Sequence, residues 1–266
     1  MNYGCMLTGV IILMNLPPVL SQRWQPEFRE DIPLDSIRLS DPCILADKKT
    51  STYYMTGSGG WLWKSRDLEK WTGPYWVVET DPGSWMGPRP MIWAAELHAY
   101  KGRYYYFATF TNRDVKIELK PDLSGTIGAG KVLFRASDSP WSEEKDEQGN
   151  IVPSKVTDGP WLFLTQTGKL GMLWTSWVYS DYTQGVAYSE SGTLDGPWVQ
   201  DPEPITPPNY GHGMLFRTFE GKLLMSVHSH GQVNGHTVRI PCLFEMDDSG
   251  DKLVLGAVYS NPVHDF

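Results

Sequence analysis

One pattern returns four times along the sequence and limits the fold more than any other feature: a polar or aromatic residue at the head of an apolar run, a glycine-bearing turn in most copies, and a second apolar run. Asp41-Pro42 leads into Cys43-Ile44-Leu45, and Trp93-Ala94-Ala95-Glu96-Leu97-His98 into Gly102-Arg103-Tyr104-Tyr105. Asp158-Gly159-Pro160-Trp161 leads, through Gly168, into Leu170-Gly171-Met172-Leu173, and His212-Gly213-Met214-Leu215, through Gly221, into Leu223-Leu224-Met225. The starts at 41, 93, 158 and 212 are 52, 65 and 54 residues apart, a period that suits propeller blades of roughly 40 to 50 residues or more. In a propeller the innermost strand of every blade begins at the same end of a central channel. Asp41, Trp93 or Glu96, Asp158 and His212 are therefore expected in one pocket.

The rest of the chain agrees with an all-β fold. No stretch sustains apolar spacing at i, i+3, i+4 and i+7, whereas short apolar runs bounded by Gly, Pro, Asn and Asp recur. Outer-strand pairs are expected at Trp61–Leu68 with Trp71–Tyr75 and at Ala187–Ser191 with Asp195–Trp198, with a shorter counterpart at Phe134–Trp141. Residues 23–37 suit a lead-in arm that closes the ring against the last blade. The acidic run Ser142–Asn150 reads as a solvated loop, and so does the neighbourhood of His228, His230 and His236, whose spacing supplies too few ligands for a zinc site. The length allows one domain, residues 23–266.

Twelve Trp and 13 Tyr fit strands and the walls of a sugar site, because aromatic faces accept the CH faces of a sugar ring while Tyr and Trp add hydrogen bonds. A formal charge of −8, without any cluster of Lys or Arg, argues against nucleic acid or an anionic membrane as partner, since both need a positive footprint. Carbohydrate is the expected partner. The three cysteines, Cys5, Cys43 and Cys242, lack metal-ligand spacing and are odd in number, so Cys43 and Cys242 read as buried thiols. Residues 6–20 have the length of a signal-peptide apolar region and fall short of a membrane span. A signal peptide over residues 1–22 and a secreted or periplasmic protein are expected. No glycine-rich phosphate loop and no Gly-x-Ser-x-Gly elbow is present, which disfavours kinase, dehydrogenase and serine-hydrolase chemistry.

Taken together, four motifs resemble glycoside hydrolase family 43, whose members are five-bladed propellers that hydrolyse arabinosyl, xylosyl or related linkages with inversion. Asp41-Pro42 is similar to the family's Asp-Pro, Trp93-Ala94-Ala95-Glu96 to its Trp-Ala-Pro-Asp/Glu, Asp158-Gly159-Pro160 to its Glu-Gly-Pro, and Gly211-His212-Gly213 to its last-blade Gly-His-Gly. The likeness spans about residues 38 to 250. It implies Asp41 as general base and Asp158, in place of the family's glutamate, as general acid. An alternative alignment makes Asp158 the carboxylate that tunes the acid. Trp93, Glu96, His212 and Arg239 would then contact the sugar. The resemblance implies no required cofactor and admits a calcium or sodium ion on the axis at His212. A complete hairpin for the blade that carries the family's third carboxylate is missing near Arg113 to Lys116. The expected ring has four blades, with a hybrid second blade whose outer strands come from residues 115–137. The loss leaves two readings open, an inverting glycosidase and a catalytically impaired carbohydrate-binding propeller.

Overall fold

The computed structural model describes residues 27–76, 91–100, 103–110 and 133–260. In chain order its strands are β1 (Arg29–Pro33), β2 (Cys43–Asp47), β3 (Thr52–Thr56), β4 (Trp61–Ser65), β5 (Lys70–Trp76), β6 (Ile92–Tyr100), β7 (Arg103–Phe110), β8 (Glu143–Lys145) and β9 (Ile151–Pro153). They continue with β10 (Asp158–Leu164), β11 (Leu170–Tyr179), β12 (Asp181–Ser189), β13 (Trp198–Gln200), β14 (Tyr210–Arg217), β15 (Leu223–Val233), β16 (His236–Asp247) and β17 (Val254–Ser260). Each sheet is built on an antiparallel meander, to which the third adds β8 and β9 at the end of β11. The first is β2-β3-β4-β5 with β1 on its outer edge, the second the hairpin β6-β7, the third β10-β11-β12-β13, and the fourth β14-β15-β16-β17. β2 lies beside β6 on one side and β14 on the other, and β14 also lies beside β10. The remaining step, from β6 to β10, is made by His98 stacked on Trp161, with centroids 5.9 Å apart. Four inner strands thus follow one another around an axis, the blade arrangement of a β-propeller.

Apolar residues that alternate along the strands fill the spaces between sheets. Ile44, Met55, Trp63 and Trp71 of the first sheet meet Phe216, Leu224 and Leu243 of the fourth. Ile32, Leu34, Ile37 and Leu39 of the arm join the same cluster, and the Leu39 N–H donates to the Arg239 carbonyl at 3.0 Å. The arm therefore lies between first and last sheets. Leu173, Val186 and Tyr188 of the third sheet pack on Met225, Val227 and Phe244 of the fourth. Local chemistry shapes the turns. In Ser65-Arg66-Asp67-Leu68, Ser65 Oγ accepts the Leu68 N–H at 2.9 Å and Asp67 Oδ1 accepts the N–H groups of Glu69 and Lys70, both at 2.9 Å. That turn delivers Trp71 to the core, where its indole N–H donates to the Leu68 carbonyl at 3.0 Å.

Three expectations change. The acidic run is a hairpin: β8 pairs with β9 and runs parallel to the end of β11, its turn closed by Asp146, whose carboxylate accepts the N–H groups of Gln148 and Asn150. Charge composition concealed two short edge strands. Phe134–Trp141 is not an outer-strand pair; it holds a single 3-10 turn, Ala136–Asp138, because Phe134 and Trp141 both pack on Trp174 of the third sheet. His228 and His230 lie within β15, and His236 starts β16. Of the hybrid blade's outer part, residues 133–137 form no strand and residues 115–132 lie outside the described residues, as does the apolar stretch 6–20. Cys43 and Cys242 are buried free thiols, each pushed up to about 12 by burial.

Packing between aromatic residues and missing side chains gives a direct test. A Cβ on Gly185 would stand 2.1 Å from the Trp141 ring, whereas one on Gly250 would meet nothing within 4 Å. Gly185→Ala is expected to cost about 1–3 kcal/mol through overpacking, and Gly250→Ala to cost nothing measurable beyond about 0.5 kcal/mol. Urea unfolding midpoints of the two variants check this, and equal midpoints would contradict it.

Candidate active site

Each inner strand is preceded by, or begins with, one residue in the left-handed region: Asp41 (φ 59), Ala94 (φ 47), Gly159 (φ 53) and His212 (φ 58). At the last three the strand register shifts, between Trp93 and Glu96, Asp158 and Trp161, and Gly211 and Met214. Bulges of this kind re-aim side chains at sheet ends. Asp and His tolerate the left-handed region better than most residues, yet it still costs a non-glycine residue about 1 kcal/mol or more. Something must hold them there. In three of the four, the residue's N–H donates to a side chain on or just beyond the second strand of the neighbouring sheet: Asp41 to His228 Nδ1 at 3.1 Å, Ala94 to Ser58 Oγ at 2.8 Å, and His212 to Thr175 Oγ1 at 2.8 Å. The exception is Gly159, whose N–H donates to the carboxylate of its own neighbour Asp158, at 2.8 Å.

These kinks bring the expected residues together. His212 Nδ1 lies 3.2 Å from Asp41 Oδ1 and 3.8 Å from Asp158 Oδ2. The two oxygens are therefore separated by no more than the sum of those distances, 3.2 + 3.8 = 7.0 Å. The Asp41 side chain is 15% exposed and that of Asp158 51%, so one carboxylate is deep and the other open to solvent. Ser58 Oγ–H donates to Asp41 Oδ2 at 2.5 Å, and the Tyr182 phenol donates to Asp158 Oδ2 at 2.5 Å while standing 3.4 Å from His212 Nδ1. Glycine makes the approach achievable. A Cβ on Gly159 would stand 3.0 Å from the His212 ring, and one on Gly211 would stand 2.5 Å from the Tyr182 ring.

Charge is distributed accordingly. Burial alone would raise the Asp158 carboxyl, but hydrogen bonding and charge from His212, the Tyr182 phenol and the Gly159 N–H outweigh it and hold the group well below the usual carboxylate range. Burial pushes His212 down, yet the charges of Asp41, Asp158 and Glu96 prevail and raise it. Tyr182 is raised by burial and by the charge and hydrogen bond of Asp158. His228 is pushed well below its usual value by burial and by His212, Arg239 and His230. A neutral His228 is what its geometry requires, because its Nδ1 accepts the Asp41 N–H.

The other expected residues stand around this centre. Glu96 bonds His98 at 2.7 Å and acts on His212 through its charge. Trp93 sits at the β6 register shift with half its surface, 51%, exposed. Arg239 is exposed on β16 and its charge reaches Tyr182, His228 and His230; among the described residues its guanidinium has no ion-pair partner. The axial cation expected at His212 finds no ready cage: no group of three or more His, Cys, Asp or Glu among the described residues is arranged for a metal, and His212 Nδ1 faces two carboxylates and a phenol. Sequence reasoning missed Ser58, Thr175, Tyr182 and the inward role of His228. For two of them the available signal was a polar residue at the strand-paired position beside a head, His228 opposite Gly211 and Thr175 opposite Asp158.

The pairing of Asp158 with His212 predicts a pH window. A depressed carboxyl contributes stability above its ordinary value of 3.8 and loses it as pH falls through the lower folded value. A raised imidazole contributes below its ordinary 6.5 and loses it as pH rises through the folded value. The stability difference between wild type and Asp158→Asn should be largest between about pH 4 and 7 and shrink on both sides. Urea midpoints across pH check it, and a flat difference would remove the pair. Comparison with known proteins bears on the same region. The sequence model described as "Glycosyl hydrolases family 43" matches residues 31–147, and no curated protein sequence matches the chain. Among solved structures, an endo-arabinase from Bacteroides thetaiotaomicron VPI-5482 is 28% identical, with 81% of this chain and 96% of that chain covered at a TM-score of 0.66. A thermostable family-43 glycoside hydrolase is 16% identical, with 88% and 98% covered and a TM-score of 0.65. An endo-1,4-β-xylanase from the same Bacteroides strain is 17% identical, with 88% and 98% covered and a TM-score of 0.57. Residues 31–147 match the family-43 sequence model and the described sheets share the fold of these solved glycosidases, which supports a glycosidase similar to glycosyl hydrolase family 43.

Proposed function

We propose that the protein hydrolyses arabinose- or xylose-containing polysaccharides or oligosaccharides with inversion, using Asp41 as general base and Asp158 as general acid. The observation that carries this reading is the pair of carboxylates on one histidine. Inverting enzymes hold their carboxyl groups about 6.5 to 9.5 Å apart, to leave room for water, and the upper bound of 7.0 Å set by His212 overlaps the low end of that range. In the reaction Asp41 takes a proton from water as the water oxygen bonds the anomeric carbon. The bond to the leaving oxygen breaks, and that oxygen keeps the electron pair and takes a proton from Asp158. The deep position of Asp41 and the open position of Asp158 suit a sugar bound with its leaving group outward. Solved relatives named as arabinase and xylanase support the sugar class, and the half-exposed Trp93 offers a ring face for it. Family 43 chemistry needs no cofactor as a rule. A polymer outside the cell also fits the export expected from residues 6–20.

One observation favours the second reading, an impaired carbohydrate-binding propeller. His212 and Tyr182 hold Asp158 ionised in the free protein, whereas a general acid must carry a proton when the bond breaks. The active reading requires the bound sugar to restore that proton by displacing water and the Tyr182 contact. Leaving groups separate the two.

Asp41→Asn is expected to lower hydrolysis of aryl arabinofuranosides and xylosides by about 10²- to 10⁴-fold with thermal stability nearly unchanged. Asp158→Asn should impair poor leaving groups far more than activated aryl ones, and the first product anomer seen by NMR should be inverted. Equal losses across leaving groups would assign Asp158 a tuning or structural part, and wild-type turnover in Asp41→Asn would exclude it as base.

A further inference from the structure

Asp41 is fixed from two neighbouring sheets at once. Its backbone occupies a left-handed conformation, φ 59, and its N–H donates to Nδ1 of His228 on β15 of the fourth sheet. The equivalent bonds at Ala94 and His212 use the small hydroxyls of Ser58 and Thr175. At Asp41 an imidazole fills that place. Its ring is almost wholly buried, stacks with Tyr182 at 5.5 Å and 16°, and has an Nε2 without a hydrogen-bond partner among the described residues. The carboxylate is fixed from the other side. Ser58 receives the Ala94 N–H of the second sheet at 2.8 Å and donates its own hydroxyl hydrogen to Asp41 Oδ2 at 2.5 Å. The hydroxyl thus accepts the amide through a lone pair and gives its one hydrogen to Asp41. The other carboxylate oxygen, Oδ1, is the one facing His212 and lies 3.5 Å from His228 Nδ1. Since that nitrogen accepts the amide, it offers Oδ1 no hydrogen, and His228 acts on the backbone alone.

We propose that Ser58 and His228 are the positioning residues of Asp41: His228 sets the backbone turn from which the carboxylate springs, and Ser58 sets the rotation of the carboxylate, so that the pair governs turnover more than sugar affinity. This rests on Asp41 being the base of the proposed reaction. A misplacement of about 1 Å in a reacting group can cost of order 10²-fold in rate, so loss of either contact should fall on kcat.

The test has a kinetic arm and an exchange arm. Ser58→Ala should lower kcat on 4-nitrophenyl arabinofuranoside or xyloside by about 10- to 100-fold, the range of a hydrogen bond to a charged group, with KM within about twofold. Ser58→Thr, which keeps the hydroxyl, should restore most of it. His228→Asn, whose carboxamide oxygen stands near the place of Nδ1, should retain more kcat than His228→Leu. Amide hydrogen exchange in the intact protein should show faster exchange at Ala94 in Ser58→Ala and at Asp41 in His228→Leu. Wild-type kcat in Ser58→Ala, joint loss of kcat and KM not rescued by threonine, or unchanged exchange at both amides would overturn the proposal. Should the wild type cleave none of these substrates or arabinan and xylan, the proposed function fails, and the exchange arm alone decides whether Ser58 and His228 hold Asp41.

Discussion

The structure depends on a hydrogen bond that crosses from one sheet to the next. Strands within a sheet satisfy one another, whereas neighbouring sheets are joined by non-directional apolar packing and a few scattered hydrogen bonds, such as Phe219 N–H to the Tyr53 phenol and Leu253 N–H to the Tyr188 phenol. The N–H of a kinked residue reaching a side chain of the neighbouring second strand supplies the missing direction. It occurs at Asp41, Ala94 and His212, and each instance sits at the axis-facing end of an inner strand. These bonds offset the cost of the left-handed conformation at Asp41 and His212, whose side chains approach to 3.2 Å. The same bond therefore orders the ring and builds the candidate site.

Stability and chemistry consequently draw on the same groups. Thr175 both receives the His212 N–H and donates to Gln184 Oε1, which also receives the Gly213 N–H. Gln184 in turn donates to the Trp174 carbonyl at 2.8 Å, next to the aromatic core of the third sheet. His212 is thus locked from behind by a buried polar network every member of which is satisfied, a condition under which such networks give a single well-defined arrangement. Its ring nitrogen Nδ1 is left to meet the two carboxylates.

Much of this was legible in the residues. The four hairpin heads predict four inner strands, and Asp41, Asp158 and His212 converge as their spacing requires. The second head was legible to within one position: the kinked residue is Ala94, with Trp93 before it. Less visible were the groups that hold the heads in place. Ser58 lies in Gly57-Ser58-Gly59-Gly60, which reads as an ordinary turn; Tyr182 lies in the polar run Asp181-Tyr182-Thr183-Gln184, which lacks a strand's alternation; and His228 shares a stretch with two other histidines and reads as loop. Their role depends on contacts between residues 17 or more apart, such as Ser58 with Asp41, Tyr182 with Asp158 and Asp41 with His228, and no local pattern encodes those. The acidic run before Asn150 misled for a different reason, because two three-residue edge strands leave too few positions for a period to show.

The self-contained bond of Gly159 has a mechanical meaning. Three joints of the ring are tied by an amide to a partner sheet, whereas at the joint ahead of the third sheet His98 stacks on Trp161 and Gly159 N–H closes on its own neighbour's carboxylate. Stacked rings can slide where a hydrogen bond would have to break, so this joint lacks the directional amide tie of the other three among the described residues. Asp158 stands directly on it. The gap between the two carboxylates can therefore adjust at one edge while Asp41, anchored from both sides, stays still: the open carboxylate is the moving jaw and the deep one the fixed jaw of a single clamp.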